Sequence, residues 1–168
     1  MSVNTGTTIE TKGDALTITR VLDAPRERVW NAWSDPNLLQ QWWGPEHFTV
    51  PVYESDFREG GQYHYCMRSP DGQDYWSIGA YQEIVPMERI VYTDSFADEK
   101  GNPVSAAHYG MDGNWAEELI VTLTFEDRDG KTRFTLRHTG LPEGQHREMC
   151  GIGWNESFDK LEALVKNS

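Results

Sequence analysis

Two titratable residues occupy strand positions that the hydrophobic pattern assigns to an apolar face. His138 has the strand parity of Leu136, and Asp94 has that of Tyr92 and Phe96. Alternate side chains of a strand share a face, so both are predicted to point inward. An inward imidazole can orient a ligand or transfer a proton. The alternatives are a neutral His138 bonded to a backbone carbonyl and, after a register slip, an Asp94 facing solvent.

An inward Asp94 would need a partner, since an unpaired buried carboxylate is costly. An arginine or a hydroxyl group would serve as this partner.

The remaining histidines have no HExxH or HxH spacing. His146 and Cys150 share one helix face at i, i+4, but a zinc site needs two further ligands. A thiolate–imidazole pair is the covalent alternative, whereas free cysteine usually packs as a small apolar residue. We predict no metal site, no cofactor and no catalytic residue.

Aromatic side chains are the third group of candidates, at 12% of the chain and with seven tryptophans. Four of these tryptophans lie in residues 20–45, where we expect Trp30, Trp33 and Trp42 to pack and Trp43 to touch a ligand. The complete set of predicted ligand-binding residues is Trp43, Tyr65, Trp76, Asp94, Phe96, Met111, His138, Trp154 and Phe158.

Periodicity predicts the elements that position these residues. Alternation predicts a strand over 15–22, and Pro25 and Pro36 begin two short helices. Further strands are predicted at 48–56, 61–68, 74–85 and 89–96, followed by a hairpin around Asp129-Gly130. A terminal helix carries an apolar stripe at Trp154, Phe158, Leu161 and Val165. The loop 97–114 is long enough to serve as a lid over a site.

Hairpin-linked strands imply an antiparallel sheet, so the fold class is α+β. A curved sheet wrapped around one long helix leaves a gap where a small molecule would bind. Residues 1–13 are predicted to be a flexible tail and 14–168 a single domain. The net charge of -12 disfavours nucleic acid and membrane surfaces. Two cysteines without CxxC spacing and the absence of a signal-peptide pattern favour the cytoplasm.

Five segments carry a resemblance to a known family. They are APRERVWNAWSDPNLLQQWWGP, DFREGGQYHYCMRSPDG, GAYQEIVPMERIVYTDSF, ELIVTLTFEDRDGKTRFTLRHTG and GWNESFDKLEALV, which together cover roughly residues 15–166. In this order they resemble the activator-of-heat-shock-protein-90-ATPase-like family of the SRPBCC (START-like, helix-grip) superfamily. The resemblance implies a helix-grip fold with an apolar cavity between the sheet and the terminal helix.

The resemblance implies no catalytic set. We expect non-catalytic binding of a small hydrophobic or aromatic molecule, in stress response or detoxification, by a monomer or a homodimer. One alternative is a cyclase- or aromatase-like enzyme that uses an acid–base pair in the cavity. The other is a chaperone-interacting module. The eukaryotic namesakes stimulate the chaperone with an additional N-terminal domain, where this sequence has its thirteen-residue tail.

Overall fold

The computed structural model describes residues 7–166. Its strands are β1 (Thr8–Lys12), β2 (Ala15–Leu22), β3 (Thr49–Ser55), β4 (Gln62–Arg68), β5 (Asp74–Val85), β6 (Arg89–Ala97), β7 (Leu119–Arg128) and β8 (Lys131–Thr139). Its α-helices are α1 (Arg26–Ser34), α2 (Pro36–Trp42) and α3 (Gln145–Lys166). One 3-10 turn, Ala106–Tyr109, interrupts the long loop after β6. None of the helices in this described part of the chain could cross a membrane, given their length and polarity.

All eight strands form one antiparallel sheet in the order β1-β2-β8-β7-β6-β5-β4-β3. The helix α3 packs against β2, α1 and α2, and the antiparallel sheet is curved. The α+β helix-grip class predicted from the sequence is therefore confirmed. The predicted strand 15–22 coincides with β2, and six strands follow the two short helices as expected.

The first strand corrects the predicted flexible tail. Residues 8–12, assigned to that tail, form β1 and pair with β2 from Thr8 opposite Thr19 to Lys12 opposite Ala15. All five side chains of β1 are exposed, so no hydrophobic alternation marks it in the sequence. Backbone pairing with β2 adds it to the sheet. Residues 1–6 of the predicted tail lie outside the described residues.

The proline-initiated helices hold a cluster of tryptophans in the core. Asp35 caps α2 by accepting the Asn37 N–H at 2.9 Å. The indole N–H of Trp42 donates to the Ala32 carbonyl at 2.9 Å, and its ring meets Trp33 edge-on at 4.7 Å between centroids. Trp30 packs edge-on against Phe125 at 5.2 Å. The expected packing roles of Trp30, Trp33 and Trp42 are thus confirmed.

One buried arginine joins the sheet to the terminal helix. Arg20 lies on the inner face of β2 with a fully buried side chain. Its guanidinium donates to Asn155, pairs with Asp159 at 2.8 Å and with Glu162 at 3.5 Å, and lies 5.9 Å from the Phe158 ring centroid. These four partners belong to α3, and Nε donates in addition to the Thr7 hydroxyl at 3.0 Å. These charge-assisted bonds fix the helix against β2.

The substitution Arg20→Met tests this connection. Methionine keeps an apolar stem under α3 but removes every donor, so the free energy of unfolding should fall by about 1–3 kcal/mol in urea denaturation. Arg137→Met, at an exposed position of β8, is the matched control and should change stability by less than about 0.5 kcal/mol. Equal losses for the two variants would contradict the role of Arg20.

Candidate functional site

A cavity of about 430 Å³ lies between the sheet and the N-terminal half of α3. Strands β4 to β8 form one wall, and the segment after α2 together with the loop 97–114 closes the sides. Eight lining side chains are aromatic, namely Trp43, Phe48, Tyr65, Tyr75, Phe96, Tyr109, Trp115 and Trp154. The space is therefore mostly apolar, with a few polar groups in its wall.

One face of α3 borders the cavity and includes two small residues, Gly153 and Ser157. The lining residues of the helix are His146, Met149, Cys150, Gly153, Trp154 and Ser157. They follow the three- and four-residue spacing of one helical face. One turn further on, Phe158 and Leu161 are fully buried in the core. The C-terminal half of the helix is thus packed into the core, whereas this one face of its N-terminal half borders the cavity.

His138 presents a neutral imidazole in the cavity wall. Only 5% of this residue is exposed. The indole N–H of Trp154 donates to Nδ1 at 3.1 Å, so the ring proton is on Nε2. Among the described residues, Nε2 has no hydrogen-bond partner. Burial lowers the pKa of His138 to about 4, so the ring is uncharged at neutral pH.

Cys150 lies beside the same ring, with Sγ 3.6 Å from Nδ1 of His138. Burial raises the pKa of this thiol to about 12. A protonated thiol is a poor nucleophile, which agrees with a packing role. Cys66 and Cys150 are both free thiols. Within residues 7–166, no three histidine, cysteine or acidic side chains converge as a metal site would require.

Asp94 is the carboxylate of the cavity, and a tyrosine hydroxyl is its partner. The Tyr63 hydroxyl lies 2.7 Å from the Thr93 carbonyl and 2.9 Å from Asp94 Oδ1. A phenol has one proton, so it cannot donate fully to both acceptors. The hydroxyl therefore stabilises an ionised Asp94 only in part. Burial raises the pKa of Asp94 to about 7, although the hydrogen bond from Tyr63 acts to lower it.

A glycine allows Tyr63 to reach these atoms. Tyr63 pairs with Gly79 across β4 and β5. A Cβ at Gly79 would lie 1.9 Å from the Thr93 carbonyl oxygen and 2.4 Å from the Tyr63 hydroxyl. Next to Gly79, the backbone N–H of Ala80 donates to the side-chain hydroxyl of Thr93 at 3.0 Å. The missing side chain at residue 79 therefore lets the phenol cross β5 to Asp94.

Family and structure comparisons agree with this architecture. The sequence profile of the family described as Activator of Hsp90 ATPase homolog 1-like protein (AHSA1) matches residues 23–166. The chain belongs to this family. An AHSA1-like fold is in general that of a ligand-binding domain. Among curated proteins, none matches the chain.

Solved structures support the AHSA1 assignment over nearly the whole chain. A Chromobacterium violaceum protein is 35% identical, with a TM-score of 0.76 over 90% of this chain and 96% of its own. An Arthrobacter aurescens protein is 27% identical, with a TM-score of 0.79 over 98% and 94%. The AHSA1 protein from Silicibacter pomeroyi is 26% identical, with a TM-score of 0.72 over 89% and 95%.

Seven of the nine predicted residues meet in the cavity of this AHSA1-like chain. They are Trp43, Tyr65, Asp94, Phe96, Met111, His138 and Trp154. The inward orientation predicted for Asp94 and His138 is found, and the partner of Asp94 is a hydroxyl. Their contact with a ligand stays a prediction. So does the movement of the loop 97–114 as a lid, although Tyr109 and Met111 of that loop line the space.

Two predicted residues lie elsewhere. Trp76 is on the outer face of β5, where its ring meets His64 at 4.8 Å between centroids, while Tyr75 and Ser77 line the cavity. Trp76 was predicted as a ligand-binding residue for its aromatic type, and it lies outside the cavity. Phe158 is fully buried against Phe134 at 5.1 Å and belongs to the core. The apolar stripe of α3 continues past the end of the cavity, so periodicity alone cannot separate lining from core.

Sequence reasoning also missed several lining residues. Tyr75 and Ser77 would follow from the correct parity of β5, and Gly153 and Ser157 from their place on the helix face that carries Trp154. Small residues on an otherwise bulky helix face are a signal for a cavity beside it. His146 was weighed only as a ligand or base, yet it pairs at 2.7 Å with Asp112 of the loop.

The raised pKa of Asp94 predicts how stability depends on pH. An unfolded aspartate has a pKa of about 3.9, so between about pH 4 and 7 the native chain binds the extra proton. Stability therefore falls as pH rises through this window. Asp94→Asn removes that loss. In urea denaturation, its free energy of unfolding relative to wild type should increase from pH 5 to pH 8 by at most about 3 kcal/mol.

The lowered pKa of His138 makes stability rise with pH, which is the opposite of the Asp94 effect. Because wild type and Asp94→Asn share this contribution, it cancels in the difference between their stabilities. Glu99→Gln, at an exposed turn position, removes the same charge outside the cavity and is the control. For this control the difference from wild type should stay flat with pH. A flat difference for Asp94→Asn as well would show that Asp94 ionises normally.

Proposed function

We propose that this chain binds a small hydrophobic or aromatic molecule in the cavity between the sheet and α3, without turning it over. The observation that carries the proposal is a cavity of about 430 Å³ with eight aromatic side chains in its wall. Small-molecule sites measure roughly 300–1,000 Å³ and combine an apolar lining with a few polar groups. A bicyclic aromatic compound fits this space and would lose most of its apolar surface to the protein.

The aromatic wall supports this function because its rings hold one another in place. The Trp43 ring meets Tyr65 edge-on at 5.5 Å and Trp154 edge-on at 5.3 Å. Trp154 is fixed in turn by its hydrogen bond to His138. A wall that is ordered before binding lowers the entropy cost of holding a ligand.

Filling the cavity should abolish binding. Ser77→Phe places a ring in the cavity, whereas Ser95→Phe makes the same change on the outer face of the sheet, beside the outward-facing groove that Ser95 lines. By calorimetry, 1-naphthalenemethanol should bind to wild type and to Ser95→Phe alike. Its affinity for Ser77→Phe should fall at least about tenfold. Equal binding to all three proteins would place the ligand elsewhere, and no binding to wild type would contradict the proposed function.

A role as a sensor, carrier or sequestering protein in stress response or detoxification belongs to the same proposal. The cytoplasmic location and the monomer or homodimer state stay predictions. The chaperone-interacting alternative also stays a prediction. Met149 and Ile152 are the exposed apolar residues of α3 that such a partner would be expected to use, each being 59% exposed.

A second candidate function is acid–base chemistry, and Asp94 is the observation that favours it. A carboxyl group with a pKa of about 7 can exchange protons near neutral pH. Asp94 shares the cavity wall with the imidazole of His138. This pair corresponds to the cyclase- or aromatase-like alternative.

Exchange of the methyl hydrogens of a bound ketone distinguishes acid–base chemistry from binding without chemistry. In deuterium oxide, ionised Asp94 would remove a methyl proton from bound 2-acetylnaphthalene, and a deuteron would return to the carbon. Proton NMR of the ketone should then show faster loss of the methyl signal with wild type than with Asp94→Asn, by at least about tenfold. Loss at the rate of buffer alone would leave binding without acid–base chemistry.

A further inference from the structure

The charges in the cavity wall are one-sided. Among the described residues that line the cavity, Asp94 is the one acidic side chain, and neither lysine nor arginine is present. His138 contributes no positive charge at neutral pH, because burial holds its pKa near 4. His146, at the rim, is paired with Asp112 of the loop. When Asp94 ionises, the described side chains that line the cavity therefore offer its carboxylate no cation.

The groups packed around Asp94 also leave its charge uncompensated. The titratable neighbours are Tyr63, Tyr65 and Tyr92 from the sheet and Cys150 from α3. Burial raises the pKa of each phenol and of the thiol, so all four stay neutral through physiological pH. The hydroxyl of Tyr63 is shared with the Thr93 carbonyl. A buried carboxylate in such surroundings is stabilised strongly by a cation that enters beside it.

The rings of the cavity offer a second attraction for positive charge. The Trp43 ring stands at large angles to the Tyr65 and Trp154 rings, and all three rings line the cavity. The face of an aromatic ring attracts an ammonium group, most strongly for tryptophan and away from water. The net charge of -12 on the whole chain would also draw cations toward it.

We propose that the ligand of this cavity is a cationic amine on an aromatic or apolar body, with its ammonium group paired to Asp94 and its rings among the tryptophans. This inference rests on the proposed binding function and names the class of compound. A neutral aromatic compound would lack the ion pair. An aromatic carboxylate would bring a second negative charge to Asp94 with no cation in the wall to receive it.

Three compounds with one ring system test the charge preference. They are 1-naphthylmethylamine, 1-naphthalenemethanol and 1-naphthoate, and calorimetry at pH 7.5 would give their affinities. The amine should bind at least about tenfold more tightly than the alcohol, and the naphthoate more weakly than the alcohol. Asp94→Asn should bring the amine to the affinity of the alcohol and leave the alcohol unchanged. Glu99→Gln, which removes a charge outside the cavity, should keep the preference of wild type.

The pH profile provides a readout that a merely structural role of Asp94 would not change. Amine affinity for wild type should increase between about pH 5.5 and 8, because Asp94 ionises in this range while the amine stays protonated. For Asp94→Asn the profile should be flat. An alcohol that binds as tightly as the amine would overturn the cationic class and leave the proposed function standing. If none of the three compounds binds, the proposed function itself fails.

Discussion

The architecture depends on how α3 is held along its length. The helix has 22 residues, about 33 Å, and its C-terminal half packs into the core. Phe158 and Leu161 are fully buried there, and Arg20 reaches from β2 to three polar side chains of the helix. Nearer the N-terminus, Gly151 still lies close to Leu16 of β2, whereas the face that carries Gly153 and Trp154 borders the cavity. The same helix therefore closes the core at one end and roofs a cavity at the other.

The polar groups in the cavity wall also depend on where α3 packs and where it borders the cavity. Asp94 lies on the sheet where it borders the cavity, so its carboxyl group does not have to pack against an apolar side chain of α3. The position of Asp94 depends on a gap in the backbone hydrogen bonds between β5 and β6. There the Tyr63 hydroxyl donates to the Thr93 carbonyl, and the Ala80 N–H donates to the Thr93 hydroxyl. Gly79 makes this arrangement sterically feasible. The chemical character of the site thus follows from a local irregularity of the sheet.

Much of this could be predicted from the sequence, and the failures have identifiable causes. Alternation located β2 and the hairpin strands because one face of each is buried, and parity placed Asp94 and His138 inside. Trp76 was misplaced because β5 carries large side chains on both faces, with Tyr75 inside and Trp76 outside, so aromatic type alone does not identify the inner face. Phe158 was misplaced because one helical stripe serves both core and cavity. The donation from Trp154 to His138 joins residues 16 positions apart, which no local pattern reveals.

The exposed strand β1 also bears on how the folded chain behaves in a crowded solution. The outermost strands of an open sheet carry unpaired backbone groups that can recruit another chain. β1 occupies one such border with Glu10 and Lys12 among its exposed side chains, and it covers β2, whose Leu16 and Ile18 are buried. At the opposite border, Pro51 lies where the register of β3 shifts. Charge on one border and proline on the other disfavour growth of the sheet into aggregates.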